Sequence, residues 1–388
     1  MAYHICYNHI VSCNLALYIH IPFCRHKCHY CSFVSYEHRE ADISPYLRAL
    51  GIEMAQHASD ESISSIYFGG GTPSLLSVRQ IDDLLTTIKS LFTVDEAAEI
   101  TIEANPGTVT LEYLTEIRKL GINRLSLGMQ SLNDSELVLL GRIHTAAEAI
   151  DAVRSARNSG FENLSLDLIY GLPGQTMTSW RETLEKALEM EPEHCSLYAL
   201  TLEPEAPMRR EIEAKLIPDI DPDTSADQYE LAEDLLAAHG YRHYEISNWA
   251  KKGRECRHNT VYWQNLPYLG VGVAAHSCLG GHRLANTRSL DRYMAAFASS
   301  VLPVVEMDEE ISPELECAET IILGLRLCQG ISLDNIHQRF GINLLAHYRQ
   351  QVGEMVDYGL LERADGHIRL TRRGRLLSNE VFWRFLPG

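Results

Sequence analysis

Along the first half of the chain, short apolar runs alternate with amphipathic stretches. The apolar runs predict strands at LALYIHI (15–21), SSIYFGG (64–70), EITIEAN (99–105), NRLSLGMQ (123–130), NLSLDLIYG (163–171) and HCSLYALTL (194–202). The stretches between them predict helices at ISPYLRALGIEMAQHA, RQIDDLLTTIKSLF, LEYLTEIRKLG, AAEAIDAVRSARNSG and SWRETLEKALEM. Two of these close on Gly, as helix C-termini prefer. Strand, helix, strand at a spacing of roughly 30 residues predicts parallel strands joined by right-handed crossovers. Six such units could form an open doubly wound sheet or a barrel. The polar residues favour the barrel. Cys24 follows the first strand, GGGTP (69–73) closes the second, Glu103 and Gln130 end the third and fourth, and Asp167 lies near the end of the fifth. In a (β/α) barrel those strand ends converge on one rim, whereas a flat sheet spreads them apart. The expected fold is α/β: a partial (β/α)6 TIM-like barrel, open on one side.

After about residue 205 the pattern changes. Residues 206–300 carry two long motifs, YEISNWA (244–250) and CRHNTVYWQNLPYLGVGVAAHS (256–277). From about 305 the chain reads as helices through LDNIHQRF and LLAHYRQQVGEMVDYGLLE, then a hairpin at GHIRLTRRG, the order of a small winged-helix module. The expected organisation is an N-terminal segment 1–14, a barrel 15–205, an extension 206–300 and a C-terminal winged-helix-like domain 301–388.

Composition narrows the function classes. The 388 residues include 52 acidic and 34 Lys+Arg side chains, for a formal net charge of -18. That field disfavours nucleic acid as a partner. No apolar run reaches the ~18 residues of a membrane span. The start, MAYHICYNHIVSCNLALYIHIPFC, lacks a basic leader and reads as a strand approaching the cysteines rather than a signal peptide. Ten cysteines are too few for a disulfide scaffold at this length. Clustered cysteines without an export signal read as metal ligands in a reducing compartment, which predicts a cytoplasmic protein.

The cluster is CRHKCHYCSF, with Cys24, Cys28 and Cys31 inside eight residues. Thiolates suit zinc or iron–sulfur clusters. Zinc needs a fourth ligand, a distant His or Cys. No second cysteine knuckle follows, and Cys195, Cys256, Cys278, Cys317 and Cys328 are scattered singly. The alternative is a [4Fe–4S] cluster on three thiolates, with one iron open to an exogenous ligand.

The C-x3-C-x2-C spacing after a first barrel strand resembles the radical S-adenosylmethionine (SAM) superfamily. The resemblance implies that the amino and carboxylate groups of SAM chelate the open iron. It further implies that the cluster passes one electron to the sulfonium, releasing a 5′-deoxyadenosyl radical. Tyr30, between the last two cysteines, is then expected near the adenine, and the GGTP of YFGGGTPSLL at the SAM amino group. Taken in order, LYIHIPFCRHKCHYCSF, YFGGGTPSLL, IEANPGT, RLSLGMQS, LGRIH, LSLDLIYGLPGQT and YEISNWA resemble the oxygen-independent coproporphyrinogen III oxidase family. Carried over residue by residue, the implied SAM contacts are Tyr18, Tyr30, Gly70, Gly71, Thr72, Glu103, Gln130, Arg142 and Asp167. Glu103 and Asp167 are expected at ribose hydroxyls or the amino group. Arg142 is expected to grip a carboxylate.

That family has two branches. One oxidatively decarboxylates coproporphyrinogen III. The other binds heme and is regarded as a heme chaperone. The decarboxylating branch carries a further cysteine two places after the third, where this chain has Phe33, so that activity is not expected. HNTVYW (258–263) matches the H-N-x-x-Y-W motif of the chaperone branch, which makes His258 the expected heme ligand among aromatic residues. Only 23 residues precede Cys24, against a longer arm in the decarboxylating branch. The implied cofactors are a [4Fe–4S] cluster, SAM and heme. The implied partners are a heme-accepting protein, an electron donor for the cluster and, possible in this family, a second copy of the chain. Coproporphyrinogen dehydrogenase is the alternative. A winged-helix regulator that senses through its cluster is the third reading, resting on the basic run RLTRRGR (369–375).

Overall fold

The computed structural model describes residues 15–298 and 305–387. The N-terminal segment 1–14, with Cys6 and Cys13, lies outside the described residues. The six expected strands are present as β1 Leu15–Ile21, β2 Ser62–Gly70, β3 Thr93–Ala104, β4 Arg124–Gln130, β5 Leu164–Tyr170 and β6 His194–Ala199. They pair in chain order, all parallel. The crossovers are α1 Ile43–Gln56, α2 Val78–Leu91, α3 Leu111–Lys119, α4 Ala146–Asn158 and α5 Met177–Glu189. Their starts follow from local chemistry. Ser77 with Gln80 and Thr145 with Glu148 form capping boxes that satisfy orphan N–H groups. Thr110 and Thr176 cap α3 and α5.

The period of two along each strand sets up two different faces. Leu17, Ile19, Ile66, Phe68, Ile102, Leu125, Leu127, Leu166 and Leu168 are buried in one core with Tyr46, Leu85, Ile117, Val153 and Trp180 of the surrounding helices. The alternate residues line the barrel interior and are polar: Tyr18 and His20, Ser65 and Tyr67, Glu103, Arg124 and Ser126, Ser165 and Asp167, His194. They bond to one another across neighbouring strands, as Tyr67 does to Glu103, Ser126 to Asp167 and Ser165 to His194. A barrel with a polar lumen is built to hold something other than its own side chains.

The sheet is wider than the sequence pattern predicts. Residues after 205 add β7 Arg242–Glu245 and β8 Asn248–Ala250 beyond β6. On the other edge β9 Tyr268–Val271 pairs parallel to β1. The antiparallel β10 His276–Leu279, β11 His282–Asn286 and β12 Val305–Glu310 follow, for twelve strands in all. The terminal strands β7 and β12 do not pair, so the barrel stays open. Among the described residues no helix is long and apolar enough to cross a membrane.

A second core, with Ile321, Leu325, Val352, Met355, Ile368, Val381 and Phe385, belongs to the C-terminal module. It holds helices at Pro313–Gly324, Leu333–Phe340 and Arg349–Asp357 and the hairpin Leu361–Ala364/His367–Leu370 turned at Asp365–Gly366. This is the winged-helix-like part of the fold. The basic run RLTRRGR is not a free wing. Arg369 is on the hairpin and pairs with Glu362 (2.6 Å). Arg372 and Arg375 lie on a short helix and reach Glu233 of the helix Pro222–Ala238 at 2.9 and 2.7 Å. His243 Nδ1 lies 3.1 Å from the same carboxylate. Removing that shared anion takes the carboxylate from Arg375, while Arg372 keeps Asp234 at 3.1 Å. Glu233→Leu is expected to cost about 2 kcal/mol, less than a fully buried pair because Arg372 is half exposed. The urea midpoint measures it, and an unchanged midpoint contradicts this account of the interface.

Candidate functional site

The cysteine loop after β1, the glycine end of β2, Asn105 after β3 and the Gly128–Gln130 end of β4 meet at one rim. Cys24 ends a two-residue strand, Phe23–Cys24, paired to Tyr36–Glu37, which pins both ends of the loop between them. Inside the loop Cys31 N–H donates to Cys28 C=O (3.1 Å), and His29 N–H donates to Leu140 C=O (3.2 Å). Met208 N–H donates to His29 C=O (3.0 Å). The three thiols are thus held on one fixed turn, each partly exposed. Burial pushes the Cys24 and Cys31 thiols above their ordinary range.

The glycine string works by close approach. A Cβ on Gly71 would lie 2.7 Å from Phe23 O and 3.0 Å from Cys24 Sγ. Gly70 has φ +115°, and a Cβ there would lie 2.6 Å from the His20 ring. The backbone of β2 therefore presses against the cysteine loop and against His20. Thr72 is buried, and its hydroxyl donates to Cys24 Sγ at 3.6 Å.

Arg142 reaches the same loop from the other side. Its Nη1 donates to Cys28 Sγ (3.3 Å), while Nη2 donates to Gly128 O (2.8 Å) and to Asn105 Oδ1. Both terminal nitrogens thus tie the loop to the strand ends, while Nε–H has no partner among the described residues. Asn105 was not anticipated; it links Arg142 to Thr72, donating to the Thr72 hydroxyl at 2.9 Å. Tyr30 lies beside Arg142 and packs on the small apolar cluster of Leu140, Ile169, Leu172 and Leu200. Gln130 sits at φ +66°, its amide nitrogen folded back over Gly128.

Below the rim, Glu103 accepts hydrogen bonds from the Tyr67 hydroxyl (2.8 Å) and Gly70 N–H (3.1 Å). Burial, with the Asp167 carboxylate nearby, raises it to about 7. Asp167 accepts from Ser126 (3.0 Å) and Ser165 (3.2 Å), and burial raises it as well. Tyr18 packs against Tyr67 with ring centres 6.2 Å apart, and its hydroxyl is 3.0 Å from His20 Nδ1. Arg124 is a cation at 2% exposure in this lumen, beside Glu99, Tyr67 and Cys256. Neither Arg124 nor Tyr67 was singled out by sequence; the available signal was a charged residue at an alternate position of the apolar run NRLSLGMQ.

His258 is placed differently from the other expected contacts. It lies deeper in the barrel at 1% exposure, stacked on Tyr67 with centres 5.0 Å apart. Its Nδ1 meets the Ser65 hydroxyl (3.0 Å) and its Nε2 the Tyr262 hydroxyl (2.8 Å). Both ring nitrogens are spent inside the protein, so His258 presents neither to a ligand. What the HNTVYW motif offers outward is Tyr262.

The donor set suits a [4Fe–4S] cluster: three soft thiols on one pinned loop, a guanidinium at one of them, and a glycine where any Cβ would crowd the sulfur. Cys24, Cys28 and Cys31 would hold it. The glycine strand edge, Glu103 and Asp167 face the space beside it.

The comparisons agree with this geometry. Residues 18–187 match the Radical SAM superfamily, and residues 311–377 match the HemN C-terminal domain. Heme chaperone HemW of Bacillus subtilis (strain 168) is 35% identical over 95% of this chain and 98% of its own. The protein of the same description from Lactococcus lactis (strain IL1403) is 37% identical over 95% and 96%, and that of Escherichia coli (strain K12) is 32% identical over 96% and 98%. The solved structure of coproporphyrinogen III oxidase (HemN) from Escherichia coli, a radical SAM enzyme, matches with a TM-score of 0.84 at 26% identity, covering 96% of this chain and 90% of that one. With such identity sustained over nearly the whole of both chains, this chain belongs to the HemW family of radical SAM proteins.

Proposed function

We propose that the protein binds heme and passes it to an acceptor protein, with a [4Fe–4S] cluster on Cys24, Cys28 and Cys31 and SAM beside it. The observation that carries this reading is a recess of about 660 Å³ that opens directly off the cysteine loop at Ser32, Phe33 and Val34. Tyr18, Tyr262 and Tyr268 also line it. The three tyrosines with Phe33, Val34 and Met307 offer aromatic and aliphatic wall to a flat macrocycle, and His276, Arg288 and Glu306 set polar groups among them. The relatives described as heme chaperones point the same way.

When bound, the cluster supplies one-electron reduction of the SAM sulfonium. The chain's own residues orient and shield. Gly70 and Gly71 bring backbone to the SAM side of the loop. Glu103 and Asp167 offer acceptors to ribose hydroxyls or the amino group. Arg142 places positive charge on the Cys28 sulfur and ties the loop to the strand ends through Asn105 and Gly128. An electron donor and a heme acceptor are the partners this reading requires, and the cytoplasm is where it places them.

The dehydrogenase reading is disfavoured by Phe33. It stands where that branch carries a cysteine, and it is 64% exposed on the lip of the recess rather than packed in a core. The test is transfer: heme-loaded protein is mixed with an apo-hemoprotein and the acceptor's absorbance is followed. Transfer that outpaces spontaneous heme loss supports the proposal. Acceptor loading no faster than from a heme-loaded serum albumin control contradicts it.

A further inference from the structure

The recess beside Phe33 holds an imidazole that no motif singled out. His276 opens β10 and is exposed in the recess wall. Among the described residues nothing hydrogen-bonds to its ring. The other lumen histidines are committed: His20 to Tyr18 and Val34, His194 to Ser165 and Tyr244, His258 to Ser65 and Tyr262.

The strand register gives His276 a companion. His276 pairs with Ala285, and Ala285 pairs with Met307 on the next strand. Directly paired residues share a face, so the three form a row: imidazole, methyl, thioether. Two strand spacings put the outer Cα atoms about 10 Å apart. That leaves a slot floored by the small Ala285, with a nitrogen donor on one side and a sulfur donor on the other. His and Met together are a known axial pair for heme iron.

The slot is held rigidly. Gly272 N–H donates to the buried Glu53 carboxylate (2.7 Å), and Val273 N–H donates to the Tyr46 hydroxyl (3.1 Å). Ala274 N–H donates to Thr287 C=O (2.8 Å). Ala274 itself sits at φ +57°, a left-handed conformation that costs an alanine of order 1 kcal/mol and persists only where the surroundings impose it. This pinned turn delivers His276 to the recess. At the mouth, Arg288 is exposed, and among the described residues its guanidinium forms no ion pair. The neighbouring Glu306 carboxylate is occupied by the Thr287 hydroxyl (2.7 Å) and Arg292 (3.5 Å).

We propose that this slot is the heme cradle, in which His276 and Met307 would hold the iron and Arg288 would pair with a propionate. The inference rests on the heme-chaperone reading and replaces His258 as the ligating residue. His258 instead positions Tyr262, which meets Tyr268 edge-on (4.6 Å between centres) in the recess wall.

The test is hemin titration of the full-length protein, read by absorbance. Outer-sphere partners alone are worth about 10–100-fold in metal affinity, so His276→Ala is expected to weaken binding at least about tenfold. It should also change the Soret spectrum. His276→Met should retain binding with a shifted spectrum, and Met307→Ala should change the spin state. His367→Ala, on the C-terminal hairpin outside the recess lining, should leave the ferric spectrum unchanged. Protoporphyrin IX, which lacks the iron, should bind wild type and His276→Ala alike. Thermal melts confirm folding of each variant; His276 is exposed, so little change is expected. Wild-type binding with an unaltered His276→Ala spectrum and affinity overturns the ligand assignment alone. Wild type that takes up no hemin overturns the chaperone reading and this inference with it.

Discussion

Alanine at Cys24, Cys28 or Cys31 is expected to abolish cluster assembly. A three-thiolate cluster has no spare protein ligand, and the loop's geometry offers none. Its backbone is fixed at both ends by the Phe23–Cys24/Tyr36–Glu37 pair and in the middle by Leu140 and Met208. After anaerobic reconstitution the wild type should carry about four irons and four sulfides per chain. Each variant should carry less than about a tenth of that. The fold should persist, because the thiols lie on a partly exposed rim loop and contribute nothing to the main core. Cys195→Ala is the control: it is buried singly in that core and should retain the full complement. Full iron in any one rim variant, or empty Cys195→Ala, sinks the assignment.

The second large effect concerns a residue outside the cysteine loop. Arg124 is a buried cation among acids, and Arg124→Met should cost about 3–5 kcal/mol of stability in denaturant unfolding. The loss arises mainly at Glu99. That carboxylate accepts from the N–H groups of Arg257 (3.3 Å) and His258 (3.2 Å), and so anchors the start of the helix Arg257–Trp263. Without Arg124 that buried carboxylate keeps these two donors but loses the positive charge beside it. Arg124→Met also carries a chemical signature. Burial raises Glu103 to about 7, against the lowering influence of the Tyr67 and Gly70 hydrogen bonds and of Arg124. A cationic or hydroxylic SAM group prefers the carboxylate, so SAM affinity should rise as pH rises through 7 and level off above. Removing Arg124 removes a lowering influence on both Glu103 and Asp167, so the midpoint of that rise should move to higher pH. Glu103→Gln should flatten the profile. A SAM affinity indifferent to pH in the wild type removes Glu103 from the site.

The parts of this protein that sequence makes legible are those where one short stretch contains the whole signal. The six parallel strands and five helices announce themselves through apolar period and Gly stops. The cysteine spacing carries its own chemistry. The edge strands do not announce themselves. β8 is three residues long, β9 and β10 are four, and none is followed by an amphipathic helix of its own. β8 pairs with β6 and β9 with β1, both far away in sequence, and β10 joins the sheet only through β9 and β11. Contacts assembled across the chain are hidden for the same reason. Arg142 and Cys28 meet over 114 residues, and Arg372 and Glu233 meet through a wing that reads as merely basic. The HNTVYW motif is visible as a string. Only the fold shows that its histidine turns inward, with both nitrogens used, while its tyrosine turns toward the recess. His276 lies in a quoted string and still carried no signal, because its meaning depends on Ala285 and Met307 beside it.

In the proposed reading this radical SAM fold carries heme rather than decarboxylating a porphyrinogen. The most direct measurement puts both activities on one sample: protein reconstituted anaerobically with iron and sulfide, given SAM and a reductant, then titrated with hemin and separately supplied with coproporphyrinogen III. The account predicts one heme bound per chain and no protoporphyrinogen formed. Protoporphyrinogen appearing with consumption of SAM would contradict it and return the chain to the dehydrogenase branch despite Phe33.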